Sequence, residues 1–236
     1  MCVGSICVLT DILLFVMFML SHHMTPQILP DGNVCVDMGK PELFPWSSKA
    51  FSSKKIPFPL QLVHNEYLVT DVSMGNPHAV VFVDNLESFL CDGVFQMEGP
   101  KLSTYHEIFP DGTNAEFAQV SIFYFYTGLH CVTLMLFMLQ VMSPTHLRLE
   151  VWERGSGHTQ ACGTGACATV VAGVAQGHVK PNEWCRVSLP GGELNIRWMV
   201  DQGEDGHVFM SGPAVKVFRG DSEALKDMFS NTSSHS

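Results

Sequence analysis

The stretch Glu153–Val174, "ERGSGHTQACGTGACATVVAGV", places Cys162 directly before a Gly-Thr-Gly segment and then continues into small apolar residues. Glycine adopts tight backbone angles that larger residues resist, so we predict a turn at 163–165 and a helix over Ala166–Ala175 that stops at Gly177. A helix N-terminus has unpaired N–H groups and a partial positive charge, which lower the pKa of a nearby thiol and attract carboxylate or phosphate. The stretch therefore indicates a reactive thiolate beside an anion site.

Two other interpretations of this stretch are open from the residues alone. A buried cysteine is more often a packing residue than a reactive one, but the flanking glycines and the polar run before Cys162 are not needed for packing. Gly163, Gly165 and Ala168 also fit the dinucleotide pattern G-x-G-x-x-A. That pattern lacks its context here, because "LRLEVW" ends well before the first glycine and "CRVSL" has no acidic residue at its end.

The composition limits the class of protein. At 236 residues and 26.1 kDa the chain is long enough for two small domains, which is the division we expect. A net charge of -10 with scattered Lys and Arg argues against a nucleic-acid partner. The eight cysteines include no C-x-x-C pair and no ligand-like His spacing, so we expect no metal site, and their irregular spacing favours a reducing compartment over a disulfide framework.

Two nearly uncharged stretches depart from this soluble pattern. They are "ICVLTDILLFVMFML" near the start and "SIFYFYTGLHCVTLMLFMLQVM" from Ser121 to Met142. The second is long enough to span a bilayer, but it lacks flanking basic anchors and interrupts two ordinary strands. We expect a buried insertion, or sequence read through from a non-coding segment, at 121–143, with a membrane span as the lesser alternative.

Most of the remaining chain is predicted to form short strands bounded by turn residues. A weaker helix is predicted around Glu87–Leu90, and Pro41–Pro59 is predicted to be a loop or linker. "DGNVCVDMGKP" at Asp31–Pro41 is echoed by "DGHVFMSGPA" at Asp205–Ala214, which indicates a duplicated half. The predicted fold class is therefore α/β (α+β), with two lobes, strands around one central helix in each, and a cleft between them. The predicted strands are "NVCVDMG", "EYLVTDVSMG", "AVVFVDN", "AEFAQV", "LRLEVWE", "CRVSL", "ELNIRWMV" and "HVFMSGP".

Three turns carry amide or guanidinium groups that are suited to one amino acid head group. They are Asn76 in "SMGNPHAVVFVDN", Asn114 in "FPDGTNAEF" and Arg154 in the opening stretch, and we expect all three groups to be exposed. Amides bind a carboxylate or an ammonium, and Arg binds a carboxylate with a two-pronged fork. Their neighbours His78 and Glu153 are candidates for tuning the pKa of a thiol. A purely structural turn-capping role for Asn76 stays open.

Four motifs together resemble the diaminopimelate epimerase family, in the family's order, over most of Val72–Gly220: "MGNPHAVVFVD", "FPDGTNAEF", "WERGSGHTQACGTGACATVVAG" and "LPGGELNIRW". The resemblance implies two pseudo-symmetric lobes, each a β-rich roll around a central helix. It implies a cofactor-free interconversion of LL- and meso-2,6-diaminopimelate, in lysine and peptidoglycan-precursor synthesis. It also implies a small-molecule substrate, a homodimer, and a soluble cytoplasmic protein, or a stromal one if the source is a plant or alga.

The resemblance also implies roles for individual residues. Cys162 is one of two cysteines on opposite faces of the substrate, where one thiolate takes the Cα proton and the other thiol returns one. The N–H groups of Gly163 and Thr164 bind the reacting carboxylate, and His78 and Glu153 adjust the thiol pKa values. Cys167 is predicted to be a packing residue. The distal end of the substrate is held by Asn76, Asn114, Glu153 and Arg154.

The N-terminal part of the chain departs from the family pattern. Family members carry a second catalytic cysteine in a Cys-Gly-Asn-Gly turn, whereas this chain opens "MCVGSICVLTDILLFVMF". Cys2 is the candidate for that cysteine because Met-Cys begins the family's turn. We therefore expect a truncated N-terminal epimerase-like lobe at 1–62, a C-terminal lobe at 63–220 with the apolar insertion at 121–143, and a disordered tail at 221–236.

Three alternatives to epimerase activity stay open at this point. They are an inactive homologue, a membrane-associated protein built on an epimerase half, and another racemase or isomerase of the same fold, of the proline racemase or phenazine-biosynthesis type. The polar turns at 75–78 and 153–155 favour the diaminopimelate branch, because a substrate with a second amino acid head group needs more polar contacts.

Overall fold

The computed structural model describes residues 17–19, 22–24, 26–50, 57–121, 146–200 and 206–215. The strands are β1 (Met17–Met19), β2 (His22–Met24), β3 (Gln27–Ile28), β4 (Asn33–Asp37), β5 (Glu42–Leu43), β6 (Phe58–Gln61), β7 (Glu66–Ser73), β8 (Pro77–Phe82), β9 (Asn114–Val120), β10 (His146–Glu153), β11 (Gly157–Thr159), β12 (Cys185–Leu189), β13 (Gly192–Trp198) and β14 (Val208–Pro213). The helices are α1 (Ser47–Ala50), α2 (Leu86–Cys91), α3 (Val94–Ser103) and α4 (Gly163–Ala175). The eight predicted strands are confirmed as β4, β7, β8, β9, β10, β12, β13 and β14.

Twelve of the strands form one mixed sheet, and β1 and β2 pair separately. The order is β3-β4-β14-β13-β12-β10-β9-β8-β7-β5, with β6 paired to β7 and β11 to β10. Most pairs are antiparallel, but β8 pairs with β9 and β10 with β12 in parallel. A parallel pair needs a crossover connection, and these crossovers carry the three longer helices. The predicted mixed α and β class is confirmed.

Helix α4 is the centre of the larger apolar core. It contacts β7, β8, β9, β13 and β14, and its residues are almost all buried Ala, Val, Gly, Thr and Cys. Small side chains let neighbouring segments pack closely on the helix: a Cβ on Gly173 would lie 2.9 Å from Cγ2 of Val179, in the segment that follows α4. A strand-wrapped central helix is therefore confirmed, and Gly177 follows its end with a φ of +78°.

The predicted turn at 163–165 is wrong, because these residues form the first turn of α4. Cys162 is itself the N-cap, in an extended conformation with φ of -137°, and its sulfur accepts a hydrogen bond from the N–H of Gly165. Cys162 therefore caps the helix directly, with no separate turn between it and α4. The helix begins three residues earlier than predicted.

A second apolar core lies where α2 and α3 pack on the sheet, beside β6, and it is rich in aromatic residues. The rings of Phe89 and Phe117 have centroids 4.9 Å apart, and Phe95 packs edge-on to Phe117 at 5.7 Å. Alternation along β9 sends Ala115 and Phe117 to this core and Ala118 to the core around α4. The weak helix predicted at Glu87–Leu90 is confirmed as α2.

Two parts of the chain were predicted incorrectly. Helix α3 was not predicted, because Gly99 and Pro100 are typical helix breakers. Gly99 faces the Trp152 side chain, whose atoms lie 3.1 Å from where a Cβ would be, so tertiary packing explains the glycine. The loop predicted at Pro41–Pro59 contains β5, α1 and the start of β6, and Asp71 caps α1 by accepting from backbone N–H groups at 2.9 and 3.0 Å.

The two echoing segments are neighbours in the sheet, since β4 and β14 pair antiparallel with Val36 opposite Met210. The pairing extends to hydrogen bonds from Met38 to Val208 at 2.8 Å and from Val208 to Gly39 at 2.9 Å. Duplication itself stays a prediction.

None of the helices in the described ranges is long and apolar enough to cross a membrane. The predicted insertion at 121–143, apart from Ser121, lies outside those ranges, and so does the predicted tail at 221–236.

Candidate active site

The thiol of Cys162 lies at the N-terminal end of α4, and only 9 % of the residue is exposed. Its sulfur accepts from the N–H of Gly165 at 3.4 Å and lies 3.5 Å from Oγ1 of Thr164. The amides of Gly163 and Thr164 occupy the first helical turn, where no preceding helical carbonyl can accept from them. Neither has an acceptor within the described part of the chain. The helix end therefore offers two donors beside the thiol.

Burial determines the protonation of this thiol. It raises the pKa of Cys162 to about 12, and the negative charges of Glu116 and Glu153 act in the same direction. The hydrogen bonds from Thr164 and Gly165 oppose these effects but do not outweigh them. The first turn of α4 does act to lower this pKa, through the N–H of Gly165, but burial outweighs it. The expectation of a reactive thiolate is therefore wrong, and the protein holds a neutral thiol at pH 7.

A hydrogen-bonded chain of side chains leads away from the thiol. Oγ1 of Thr164 accepts from Nδ2 of Asn76 at 3.3 Å, and Oδ1 of Asn76 lies 3.0 Å from Nε2 of His78. Nδ1 of His78 lies 2.7 Å from Oε1 of Glu116. His78 and Glu116 are fully buried, so this chain of hydrogen bonds runs from Cys162 into the protein interior.

Asn114 and Arg154 are brought together at the ends of β9 and β10. The backbone N–H of Arg154 donates to Oδ1 of Asn114 at 2.9 Å, and Nδ2 of Asn114 donates to the carbonyl of Pro77 at 3.0 Å. The expected exposure of Asn114 is wrong, since only 7 % of the residue is exposed, and Asn76 is half-buried. Arg154 is exposed as expected, with Nη1 donating to the carbonyl of Asp111 at 3.0 Å.

Glu153 is the last residue of β10 and lies across from β11. Its Oε1 accepts from the hydroxyl of Thr159 at 2.6 Å. The carboxylate lies close enough to raise the pKa values of both Cys162 and Glu116. The fold therefore places Glu153 in the same cluster as the thiol.

Comparison with known proteins identifies the family of this chain. The family model described as diaminopimelate epimerase matches residues 70–217. The chain belongs to the diaminopimelate epimerase family. It is similar to the diaminopimelate epimerases of Synechococcus sp., with 43% identity over 85% of this chain and 62% of the relative, and of Synechocystis sp., with 40% identity over 86% and 63%. Among solved structures it is similar to the Bacillus anthracis phenazine biosynthesis protein of the PhzF family, with a TM-score of 0.50 and 12% identity over 83% of this chain and 63% of that one.

This last likeness shows the fold alone, whereas the sequence matches show the family. The chain spans about three fifths of the length of the curated epimerases it matches. The candidate second thiol of the epimerase pair, Cys2, lies outside the described residues. No group of three or more His, Cys, Asp or Glu side chains is placed to hold a metal ion in the described ranges.

Sequence reasoning missed one member of the cluster, Glu116. It is fully buried, and burial raises its pKa although His78 opposes the shift. The signal was the spacing in "TNAEF": residues two apart on a strand share a face, so Glu116 lies on the face of Asn114. Cys167, predicted to be a packing residue, is fully buried in the core around α4.

Proposed function

We propose that this chain catalyses the cofactor-free interconversion of LL- and meso-2,6-diaminopimelate, with Cys162 as one of two acid–base groups. The observation that carries the proposal is the position of the Cys162 thiol. It caps a helix in which the amides of Gly163 and Thr164 have no acceptor in the described chain, and it is hydrogen-bonded to a buried polar network. Membership of the epimerase family supports the substrate class.

The reaction breaks the Cα–H bond, and the electron pair moves towards the α-carboxylate. Donors preorganised around that carboxylate stabilise the developing charge, and the amides of Gly163 and Thr164 are placed to supply them. The proton goes to a thiolate on one face, and a thiol on the other face delivers a proton to Cα. Cys162, with a pKa of about 12, holds its proton at neutral pH and suits the donor role in one direction. In the reverse direction the same sulfur is the base.

The distal amino acid end of the substrate would be held by the polar cluster beside the thiol. Arg154 is exposed and offers a guanidinium to the distal carboxylate, while the carboxylate of Glu153 suits the distal ammonium. The amides of Asn76 and Asn114 lie in the same cluster, and each retains hydrogen-bonding capacity beyond its present partners. A substrate with one amino acid head group would leave these groups unused.

The experiment that tests the proposal is incubation of the purified chain with LL-diaminopimelate, with product stereochemistry read by chiral separation. L-proline is the comparison substrate, because it lacks a distal head group. The meso isomer is expected from LL-diaminopimelate, and no D-proline is expected. Racemised proline without any meso product would contradict the substrate, and no conversion of either would contradict the activity.

We further propose that Cys2 is the second thiol and that the boundary between the lobes lies near residue 62. We also propose that the protein is a homodimer and that it is located in a reducing compartment, either cytoplasm or plastid stroma. The five cysteines in the described ranges are free, which supports the compartment. In a Cys2→Ala variant, conversion should be lost. Light scattering on the eluting protein measures the assembly, and a monomeric mass would contradict the homodimer.

A further inference from the structure

Glu116 is a buried ionisable group for which the proposed mechanism has no role. None of it is exposed, and one carboxylate oxygen lies 2.7 Å from Nδ1 of His78. The other oxygen, Oε2, has no partner within hydrogen-bond distance among the residues that the structure describes, although the backbone N–H of Ala79 lies close enough to the carboxyl group to act against the rise in its pKa. A buried polar atom without a partner is destabilising, so few are found in native proteins without a functional reason.

The hydrogen bonds of His78 fix how many protons the pair holds. Nε2 faces Oδ1 of Asn76, which only accepts, so Nε2 must carry a proton. Nδ1 faces a carboxyl oxygen of Glu116, so a second proton must lie on Nδ1 or on that oxygen. The pair therefore holds two protons and no net charge, which is the arrangement a buried site tolerates. Burial also raises the pKa of Glu116, which favours retention of the second proton.

The proton on Nε2 determines the orientation of the next two groups. Because Nε2 donates to Oδ1 of Asn76, the amide nitrogen of Asn76 points to Oγ1 of Thr164, at 3.3 Å. That hydroxyl lies 3.5 Å from the sulfur of Cys162. Without a partner at Nδ1, a neutral imidazole could place its single proton on either nitrogen, and the Asn76 amide would lose its fixed orientation.

Gly165 shows that the carboxyl group also packs directly against the thiol site. A Cβ at this position would lie 3.0 Å from Oε1 of Glu116 and 3.2 Å from the sulfur of Cys162. The carboxyl group of Glu116 and the thiol of Cys162 therefore both lie against this glycine. The close approach of Glu116 depends on glycine in the first turn of α4.

We propose that Glu116 is a positioning residue of the Cys162 site: it keeps a proton on Nε2 of His78 and thereby fixes Asn76 and the Thr164 hydroxyl that contacts the thiol. The importance of this arrangement for turnover rests on the proposed epimerase function. The hydrogen-bond arrangement itself does not, so the two can fail separately.

Two substitutions separate the positioning role from a requirement for charge. Glu116→Met has a similar volume and removes the partner of Nδ1, whereas Glu116→Gln can donate an amide N–H to Nδ1 and so retain the proton on Nε2. Glu150→Met is the matched control, because Glu150 forms another 2.7 Å contact with a histidine, His158, that is partly exposed. Folding of each variant is checked by circular dichroism.

The direct readout is the ¹⁵N spectrum of histidine-labelled protein, with His78 assigned through its ring couplings. The wild type, Glu116→Gln and Glu150→Met should carry a proton on Nε2, and Glu116→Met should show a mixture of tautomers. For turnover of LL-diaminopimelate, kcat should fall roughly 10- to 100-fold in Glu116→Met and stay within about threefold of wild type in the other two.

Three results would overturn the proposal. One is an unprotonated Nε2 in the wild-type spectrum, which needs no variant to fold. Another is a Glu116→Met protein with wild-type kcat and an unchanged His78 spectrum. The third is a Glu116→Gln protein as slow as Glu116→Met, which would assign the effect to charge. An inactive wild type with Nε2 protonated would refute the epimerase function and leave the hydrogen-bond arrangement standing.

Discussion

Two carboxylates, Glu98 and Glu116, are fully buried on different sides of the molecule, and their partners differ. Beside the aromatic core, Glu98 accepts from the backbone N–H groups of Val63 at 2.7 Å and His64 at 2.8 Å, one on each oxygen. Beside α4, Glu116 has His78 on one oxygen and no partner on the other within the described residues. Burial is equal, so burial alone does not tell the two acids apart. They differ in whether both carboxyl oxygens have a hydrogen-bond partner.

The largest effect on stability is expected from a substitution in the aromatic core alone. Phe95 is fully buried and its ring packs on those of Phe117, Trp152 and His158. Phe95→Ala should lower the free energy of unfolding by about 3–5 kcal/mol, because it leaves a cavity in a packed core. Urea unfolding measures the loss. A loss below about 1 kcal/mol would show that this core does not stabilise the sheet.

Substitution of Glu98 and of Glu116 should have different effects on the free energy of unfolding. Glu98→Gln should lower the free energy of unfolding by about 2–4 kcal/mol, because one backbone donor loses its charged acceptor. Glu116→Gln should change it by about 1 kcal/mol or less, because Oε2 has no partner to lose. Both are measured by urea unfolding at pH 7. Equal losses in the two variants would remove the distinction between the carboxylates.

A smaller effect is expected in the pH dependence of stability, through a buried thiol. Burial raises the pKa of Cys185 to about 12, so between about pH 9 and 12 the folded thiol keeps a proton that the unfolded chain has lost. The free energy of unfolding must therefore fall as pH rises through this range. Cys185→Ala should reduce the fall between pH 9 and 10.5 by roughly 1–2 kcal/mol, measured by urea unfolding at both values. Cys91→Ala, which removes an exposed thiol, is the control, and its free energy of unfolding should fall with pH as in the wild type.

Features encoded locally could be predicted from the sequence. Eight strands, α2 and the main body of α4 followed from alternation, turn residues and small apolar runs. Helix α3 could not be predicted, because its Gly99 is explained by contact with Trp152, 53 positions further along the chain. The start of α4 was missed because a cysteine rarely serves as an N-cap, where Ser, Thr, Asp and Asn are preferred.

Sequence reasoning named several residues that the fold brings together, but it did not predict their electrostatics. His78, Asn114, Glu153 and Cys162 do lie near one another, because β8, β9, β10 and α4 meet at this end of the sheet. The direction of the Cys162 pKa depends on burial by the surrounding strands, which no local pattern encodes. The partner of His78 required the β9 register, since Glu116 comes from a distant segment.

The central claim is that Cys162 exchanges the Cα proton, and one measurement tests it directly. Deuterium uptake at Cα of LL-diaminopimelate is followed in heavy water for the wild type, Cys162→Ala and Cys167→Ala. Cys167 is the matched control, a fully buried thiol on the same helix. Uptake in the wild type and Cys167→Ala that is absent in Cys162→Ala is the predicted result. Undiminished uptake in Cys162→Ala, or none in the wild type, would contradict the account.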